Sequence, residues 1–514
     1  MSHNLTKVIL LIFIFVQGGL AAGAGTNEVD ANTVEALRRI IERQDRKIEE
    51  LSQKIQRLEE KENQRESNGV EPRLPAIIID TNGLPLASIS SGGESPAAPR
   101  TSPVLSIGSD GVAFISDDTN YVLNLHGILQ ADTRTFFHDN PLTQGDDGFL
   151  IRRARPIFSG TFFRDWDFFI APDFAGSSAQ LFDAFIDYRF APELQFGIGK
   201  FRGPVGLENL QNDIWGLFNE RSLASDLVPM RNDGAQLSGD LGHGIALWVA
   251  GIYDADGDYR VAGNNPFNND LEYGGRLFLQ PFHNMPSNPL QRLGIGLGGS
   301  YCNVTSNSAA LPATTGGTLP GYVTTGQQQF FAYNPFLGPV VADGPHWRLS
   351  PQGYYYIGPF GVMGEYVISD QKVLNADTMR SASLENQAWE VSAQWVLTGE
   401  PASFIGIVPK HPFNFRGGSW GAWQLAARYS QLDIDKDAFE GFSDPTTSAD
   451  RAAEWSVGLN WWLTANLRLM TSFSHTSFRG GGEVNDFNPL TIVPPATVAH
   501  QDENVFFTRI QLAF

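Results

Sequence analysis

The stretch YVLNLHGILQADTR, residues 121–134, alternates apolar with polar side chains along most of its length. Successive side chains of a β-strand point to opposite sides of the sheet. Leu123 and Leu129 therefore fall on one face of a strand, and Gln130 and Asp132 fall on the other. A single strand of this kind also suits a soluble sheet with one buried face. The fold thus depends on how often the pattern recurs.

The pattern recurs up to the carboxy terminus in segments separated by turn and loop sequences. There are sixteen of them: 121–134, 149–163, 166–174, 180–190, 194–202, 233–239, 244–253, 270–280, 291–303, 346–357, 360–370, 387–397, 420–433, 451–463, 466–478 and 503–514. An even number of antiparallel strands closes a barrel with both chain ends on one side of a membrane. The sequence therefore predicts an all-β fold, a 16-stranded antiparallel transmembrane β-barrel.

The connections between these segments differ in length. Short turns are expected at 164–165, 191–193, 240–243, 358–359 and 464–465, and long loops at 135–148, 203–232, 254–269, 304–345, 371–386, 434–450 and 479–502. Aromatic residues such as Trp166, Phe360 and Trp461 gather beside the short turns, as an interfacial girdle does. This pattern predicts periplasmic turns and external loops; the alternative is chance clustering in an aromatic-rich soluble sandwich.

Composition narrows the class of protein further. The chain has 514 residues, a formal net charge of −20, 12% aromatic residues, 18% charged residues and one cysteine. These values do not fit a disordered chain or a disulfide scaffold, and the acidic balance argues against nucleic acid as a partner. We identify no catalytic residues, no metal site and no cofactor. Gly294, Gly296 and Gly299 match a dinucleotide motif only in spacing, because a strand is expected there.

The residues before the barrel divide into three segments. Residues 1–24 resemble a secretory signal peptide, with Lys7 ahead of an apolar core at 8–16 that is too short to span a membrane. Residues 25–66 are predicted to form a periplasmic coiled coil, since 33–60 hold four heptads in register. Their a and d positions are Val34, Leu37, Ile41, Gln44, Ile48, Leu51, Ile55 and Leu58. A Pro/Gly/Ser-rich linker at 67–103 leads to the barrel domain, 104–514.

Between residues 148 and 240 the sequence resembles the phosphate-selective porins O and P. The resemblance rests on Arg152-Arg153-Ala154-Arg155, Trp166-Asp167-Phe168, Gly199-Lys200-Phe201-Arg202-Gly203-Pro204, Phe218-Asn219-Glu220-Arg221 and Arg231-Asn232-Asp233-Gly234. It implies a homotrimer of sixteen-stranded barrels whose third loop folds into the lumen. It also implies an anion-binding constriction formed by Arg153, Arg155, Lys200, Arg202, Arg221 and Arg231.

The third connection, residues 203–232, is unusually apolar for a loop, with Leu207, Trp215 and Phe218 among its residues. We expect it to pack against the inner barrel wall and to narrow the pore. Strand alternation places Arg153 and Arg155 on the lumen face, and Arg152 on the other face near the rim. Two hypotheses remain for these arginines. They bind anions, or they form salt bridges to Asp183, Asp187, Glu208 or Glu220 that hold the loop to the wall.

These observations predict a porin in the outer membrane of a Gram-negative-type bacterium. It would allow passive diffusion of small polar solutes, in particular anions such as phosphate. The acidic excess of the barrel domain instead favours a non-selective or cation-preferring porin. A further alternative is an envelope tether, in which the barrel is an anchor and the coiled coil binds a periplasmic or cell-wall partner. The other expected partner is outer-membrane lipid.

Overall fold

The computed structural model of the protein describes residues 103–137, 147–176, 178–255, 270–304, 319, 321–333, 338–445, 447–480 and 502–514. All of them belong to one of two compact units, Pro75–Phe514. The predicted signal peptide, the coiled coil and all but the last residue of the linker lie outside the described residues.

Strands make up most of the described chain. In chain order they are β1 (Val104–Gly108), β2 (Gly111–Ile115), β3 (Val122–Phe136), β4 (Gly148–Phe162), β5 (Trp166–Asp173), β6 (Gln180–Ala191), β7 (Leu194–Phe201), β8 (Asn232–Leu241), β9 (Ala246–Asp254), β10 (Leu271–Leu279), β11 (Leu293–Val304), β12 (Tyr322–Val323), β13 (Gln329–Phe331), β14 (Val340–Ile357), β15 (Phe360–Asn375), β16 (Ser381–Val396), β17 (Ala422–Asp433), β18 (Arg451–Trp462), β19 (Leu467–Arg479) and β20 (Glu503–Ala513).

Sixteen of these strands, β3–β11 and β14–β20, form one closed barrel in which each strand pairs antiparallel with the next. The barrel closes where β20 pairs with β3, from Val505 opposite Phe136 to Ala513 opposite Ile128. Just beyond this register, the backbones of Gly127 and Phe514 exchange hydrogen bonds of 2.8 and 3.0 Å. The predicted fold class is confirmed.

The remaining strands form two small hairpins. β1 pairs with β2, which in turn pairs with the first residues of β3, on the edge that β20 occupies further along. β12 pairs with β13 within the connection between β11 and β14. The described helical segments are α1 (Leu207–Leu210) and the 3-10 turns Leu223–Leu227 and Lys436–Phe439. Among the described residues, no helix is long and apolar enough to cross a membrane.

The two faces of the strands carry opposite chemistry, as the alternation predicts. Outward positions such as Leu129, Ile198 and Ile510 are exposed and apolar. Inward positions such as Gln130 and Arg509 are buried and polar. This arrangement is the reverse of a soluble barrel and suits a wall between lipid and a polar lumen.

The predicted length of one connection was wrong. Strands β15 and β16 keep alternating past the predicted boundaries, so the expected long loop at 371–386 is only residues 376–380. On the side of the short turns, by contrast, residues 397–421 form a long connection between β16 and β17. We call this connection the tongue. Its Phe404 ring stacks on Tyr354, with centroids 5.3 Å apart, so part of the tongue packs against an inward-facing residue of β14.

Candidate functional site

The third loop, which in the structure comprises residues 202–231 between β7 and β8, lies inside the barrel and is mostly buried. The backbone N–H groups of Leu207 and Glu208 donate to the Glu365 carboxylate of β15 at 2.6 and 3.0 Å. Asn460 of β18 and Gln511 of β20 donate to loop carbonyls, each at 3.0 Å. The loop is therefore fixed to several walls of the lumen.

Four of the six predicted site residues converge on one loop carboxylate, that of Asp213. Arg155 Nη1 lies 2.5 Å from it and Arg221 Nη2 lies 2.6 Å from it. Arg153 Nε and Arg202 Nη2 lie 3.2 and 3.6 Å away. Asp213 is not among the acidic partners that the sequence suggested. Four guanidiniums thus share one buried carboxylate at the junction of β4 and the third loop.

The charge state of Asp213 follows from this geometry. Burial on its own raises the pKa of the Asp213 carboxyl, but the charges of Arg153, Arg221 and Arg155 outweigh burial and hold that pKa well below its usual range. The carboxyl is therefore ionised at neutral pH. It neutralises only part of the positive charge around it.

The other two predicted residues do not contact Asp213 in any described ion pair. Arg231 pairs with Asp183 through contacts of 3.1 and 3.2 Å. Its guanidinium and that of Arg155 both lie over the Phe182 ring, 4.7 and 4.0 Å from the centroid. Lys200 is buried on β7. Aromatic contact thus connects Arg231 to the Asp213 cluster.

A second cluster surrounds Glu220 of the third loop, and it corrects the prediction for Arg152. That residue was expected on the outer face near the rim, but its Nε and Nη2 donate to Glu220 at 2.6 and 3.0 Å. The cause is a β-bulge: Gln130 pairs with Arg153 and Ala131 pairs with Ile151, so Arg152 has no partner across the ladder. The bulge lets consecutive arginines reach the lumen.

The Glu220 cluster also contains two arginines, on β3 and β20, that the sequence analysis did not assign to the site. Arg134 Nη2 and Arg509 Nη2 lie 3.3 and 3.6 Å from the Glu220 carboxylate. Burial on its own raises the Glu220 pKa, yet the charges of Arg152, Arg134 and Arg509 bring it far below its usual range. Strand alternation, which puts Arg134 and Arg509 on inward faces, was the only sequence signal that could have identified these two arginines.

Another part of the lumen wall carries buried carboxylates. Glu365, Glu390 and Glu454 are buried on β15, β16 and β18. Arg428 of β17 bridges Glu454 and the loop residue Glu208, with both contacts at 3.1 Å. Guanidiniums of β3, β4 and β20 therefore contact one part of the third loop, and Glu365 of β15 and Arg428 of β17 contact another.

Comparison with known protein families identifies the family of this barrel. The family model described as phosphate-selective porin O and P matches residues 123–489. The chain belongs to the phosphate-selective porin O and P family. It is accordingly an outer-membrane porin, a channel protein located in the outer membrane.

Solved structures resemble the chain only distantly. The outer membrane channel DcaP of Acinetobacter baumannii is 10% identical, with a TM-score of 0.47 over 78% of this chain and 99% of that one. Salmonella typhi OmpF in complex with daunomycin is 13% identical, with a TM-score of 0.46 over 77% and 98%. The trimer form of OmpT from Vibrio cholerae is 10% identical, with a TM-score of 0.45 over 77% and 99%. No curated protein matches the sequence.

Proposed function

We propose that this porin conducts small anions, with phosphate as the preferred solute class, by passive diffusion through its lumen. The observation that carries the proposal is the convergence of Arg153, Arg155, Arg202 and Arg221 on the single carboxylate of Asp213. Guanidiniums bind phosphate through parallel N–H donors and can replace part of the hydration shell of an anion.

The local charge balance supports anions over cations at this height of the lumen. Besides Asp213, the described carboxylates that pair with these arginines and with Arg231 are Asp173 and Asp183. Five guanidiniums thus meet three carboxylates. Because a lumen lined by one sign of charge favours the opposite ion, this surplus selects anions. The acidic wall at Glu365 and Glu390 is the feature that favours the alternative, a non-selective or cation-preferring porin.

We further infer that the third loop sets the narrowest part of the channel. Its backbone is held on β15, β18 and β20, so it divides the lumen rather than lying along one strand. From the side of the short turns, the tongue meets it where Gln211 Nε2 donates to the Phe404 carbonyl at 2.6 Å. Both segments reduce the cross-section open to a solute.

Assembly and orientation belong to the same proposal. We infer a homotrimer, as the family resemblance implies, whose coiled coil, residues 25–66, lies in the periplasm; its apolar heptad stripe needs partner helices, which an oligomer supplies. The partner of the coiled coil in the envelope would be periplasmic or part of the cell wall.

The test is single-channel recording in planar bilayers, with reversal potentials across a KCl gradient and titration with inorganic phosphate. We expect anion selectivity and a current that phosphate blocks. Arg155→Gln and Arg221→Gln should each weaken the block about tenfold, because a charge-assisted hydrogen bond contributes about 1.5–3 kcal/mol. The matched control is Arg380→Gln, since Arg380 is exposed and pairs with the exposed Glu440 outside the lumen. Strong cation selectivity of the wild-type channel would overturn the proposal.

A further inference from the structure

Arg468 is a lumen arginine that the sequence did not single out and that belongs to neither cluster described above. It is the second residue of β19 and lies opposite Trp462 of β18 and Gln511 of β20 in the ladder. Its side chain is among the largest that are fully buried, with 1% of its surface exposed. The guanidinium lies over the Trp462 ring, 4.2 Å from the centroid.

The polar contacts of this guanidinium are incomplete. Nη1 donates to the Ile214 carbonyl of the third loop at 3.3 Å. Within the part of the chain that the structure describes, Nε and Nη2 are buried and have no hydrogen-bond partner. No described carboxylate forms an ion pair with Arg468, whereas Arg155 and Arg428 each reach two. One side of the guanidinium is satisfied and the other is not.

An arginine cannot respond to this setting by losing its proton, since its side chain stays charged in proteins. A buried charge without a partner costs several kcal/mol. The charge of Arg509 on the neighbouring strand adds repulsion rather than relief. A counter-charge from outside the chain would remove this cost.

The geometry also indicates which anion fits. The two unsatisfied atoms, Nε and Nη2, are the edge of the guanidinium whose N–H bonds run parallel. That edge matches two oxygens of one carboxylate or phosphate group and gives a bidentate contact. A single spherical ion such as chloride accepts both N–H bonds at one point and therefore with bent geometry, so the edge favours oxyanions.

We propose that the Nε–Nη2 edge of Arg468 binds an oxyanion, and that this is a second anion position in the lumen, beside the Asp213 cluster. The inference rests on the proposed function in requiring that anions enter the lumen. Ile214, whose carbonyl accepts from both Arg468 and Gln511, directly follows Asp213. The second position is therefore adjacent to the first along the third loop, and it lies at the end of β19 next to the short turn at 463–466.

The experiment uses the full-length protein and three variants. Arg468→Gln removes the charge, and Arg468→Lys keeps the charge but lacks the two-donor edge. Arg276→Gln is the matched control, because it removes another lumen guanidinium, one whose Nε already donates to Gln352 at 2.9 Å. Far-UV circular dichroism and the electrophoretic mobility of the unheated oligomer check that each variant folds.

Inorganic phosphate and acetate are titrated separately against the single-channel KCl current, and thermal unfolding in detergent is measured with and without each anion. We expect Arg468→Gln to weaken block by phosphate, acetate or both about tenfold and to reduce the rise in Tm that the anion gives the wild type. The anion affinity and the Tm rise of Arg468→Lys should lie between those of Arg468→Gln and the wild type. Arg276→Gln should match the wild type in both. The anion that loses affinity identifies the ligand as phosphate, carboxylate or oxyanions in general.

Three results would overturn the inference. One is wild-type affinity and a wild-type rise in Tm in Arg468→Gln, and another is an equal loss in Arg276→Gln. A wild-type protein that neither anion blocks or stabilises would also overturn it. Failure of the proposed function is a separate result, because it appears as cation selectivity in the wild-type reversal potential, whereas the Tm shift reports on Arg468 without any ion flow.

Discussion

At the scale of single residues, Asp213 is the carboxylate on which the basic cluster depends. Replacing it by Asn removes the charge that Arg155 and Arg221 contact at 2.5 and 2.6 Å. Removing one partner of a buried ion pair costs about 3–5 kcal/mol, so we expect a lower free energy of unfolding. We also expect stronger anion selectivity, because four guanidiniums keep their charge. Denaturant unfolding and reversal potentials measure the two effects.

The control for Asp213→Asn is Asp437→Asn, which removes the same charge at an exposed position. It should leave both measurements unchanged. The pH dependence gives a second check. Because the pKa of Asp213 is depressed in the folded protein, its contribution is complete above its unfolded pKa of about 4 and is lost only as pH falls through the folded value. Conductance that changes between pH 7 and pH 5 in the wild type, but not in Asp213→Asn, would contradict this assignment.

Single-residue predictions from the sequence succeeded where strand alternation alone decides the outcome. Arg153 and Arg155 do face the lumen, because both follow the two-residue period of β4. Arg152 was placed wrongly, because a bulge shifts the register by one residue and nothing local in the sequence marks it. Asp213 was missed because loop residues follow no period, and its four arginines come from β4, from the first residue of the third loop and from the second half of that loop.

At the scale of elements, the contact between the tongue and the third loop has a precise test at Gly406. This glycine has a φ of +85°, and a Cβ there would lie 2.7 Å from Trp215 Cδ1 and 3.1 Å from Trp462 Cη2. Gly406→Ala should therefore displace the tongue from the third loop and raise single-channel conductance. Gly418→Ala is the matched control in the same tongue, since Gly418 has a φ of +75° and open space around its Cβ position.

Both substitutions put alanine into the left-handed region, so both should lower stability to a similar extent, by about 1 kcal/mol or more. Only the Gly406 variant also meets a side-chain clash. Recordings in which the two variants have equal conductance would show that the tongue does not restrict the pathway. The thermal unfolding midpoint separates this outcome from simple loss of folded protein.

The elements themselves could be predicted from sequence to different degrees. All sixteen barrel strands were found, because each must alternate to separate lipid from lumen, and the signal is repeated in every strand. The gap between the predicted segments 387–397 and 420–433 marks the tongue, but its packing on Tyr354 and Trp215 was not predicted, because that packing depends on residues far away in the chain. The β12–β13 hairpin was missed for a related reason: its strands of 2 and 3 residues are too short to show a period.

At the scale of the whole molecule, net charge and pore chemistry are separate properties. The chain carries a formal net charge of −20, yet Arg153, Arg155, Arg202 and Arg221 converge on one buried carboxylate inside the lumen. Exposed acids such as Asp437 and Glu440 lie in the connection between β17 and β18. Salt screens charges of that kind beyond about 8 Å at physiological ionic strength, so selectivity is decided by the groups that a solute meets inside.

The amino-terminal arm, which holds the heptads at 33–60, serves either conduction or attachment. Deleting residues 26–66 removes the whole predicted coiled coil and leaves the signal sequence and barrel domain in place. We expect the deletion variant to reach the outer membrane and to conduct with wild-type single-channel conductance, because the described barrel closes through its own strands, β20 onto β3.

If the arm also attaches the membrane to a periplasmic or wall partner, cells carrying the variant will lose envelope integrity, measured as detergent sensitivity and vesicle release. The control exchanges Ile41, Ile48 and Ile55 for Asn, which keeps the length of the arm but disrupts its apolar stripe. Loss of conductance in both variants would show that the arm is needed to assemble the channel itself.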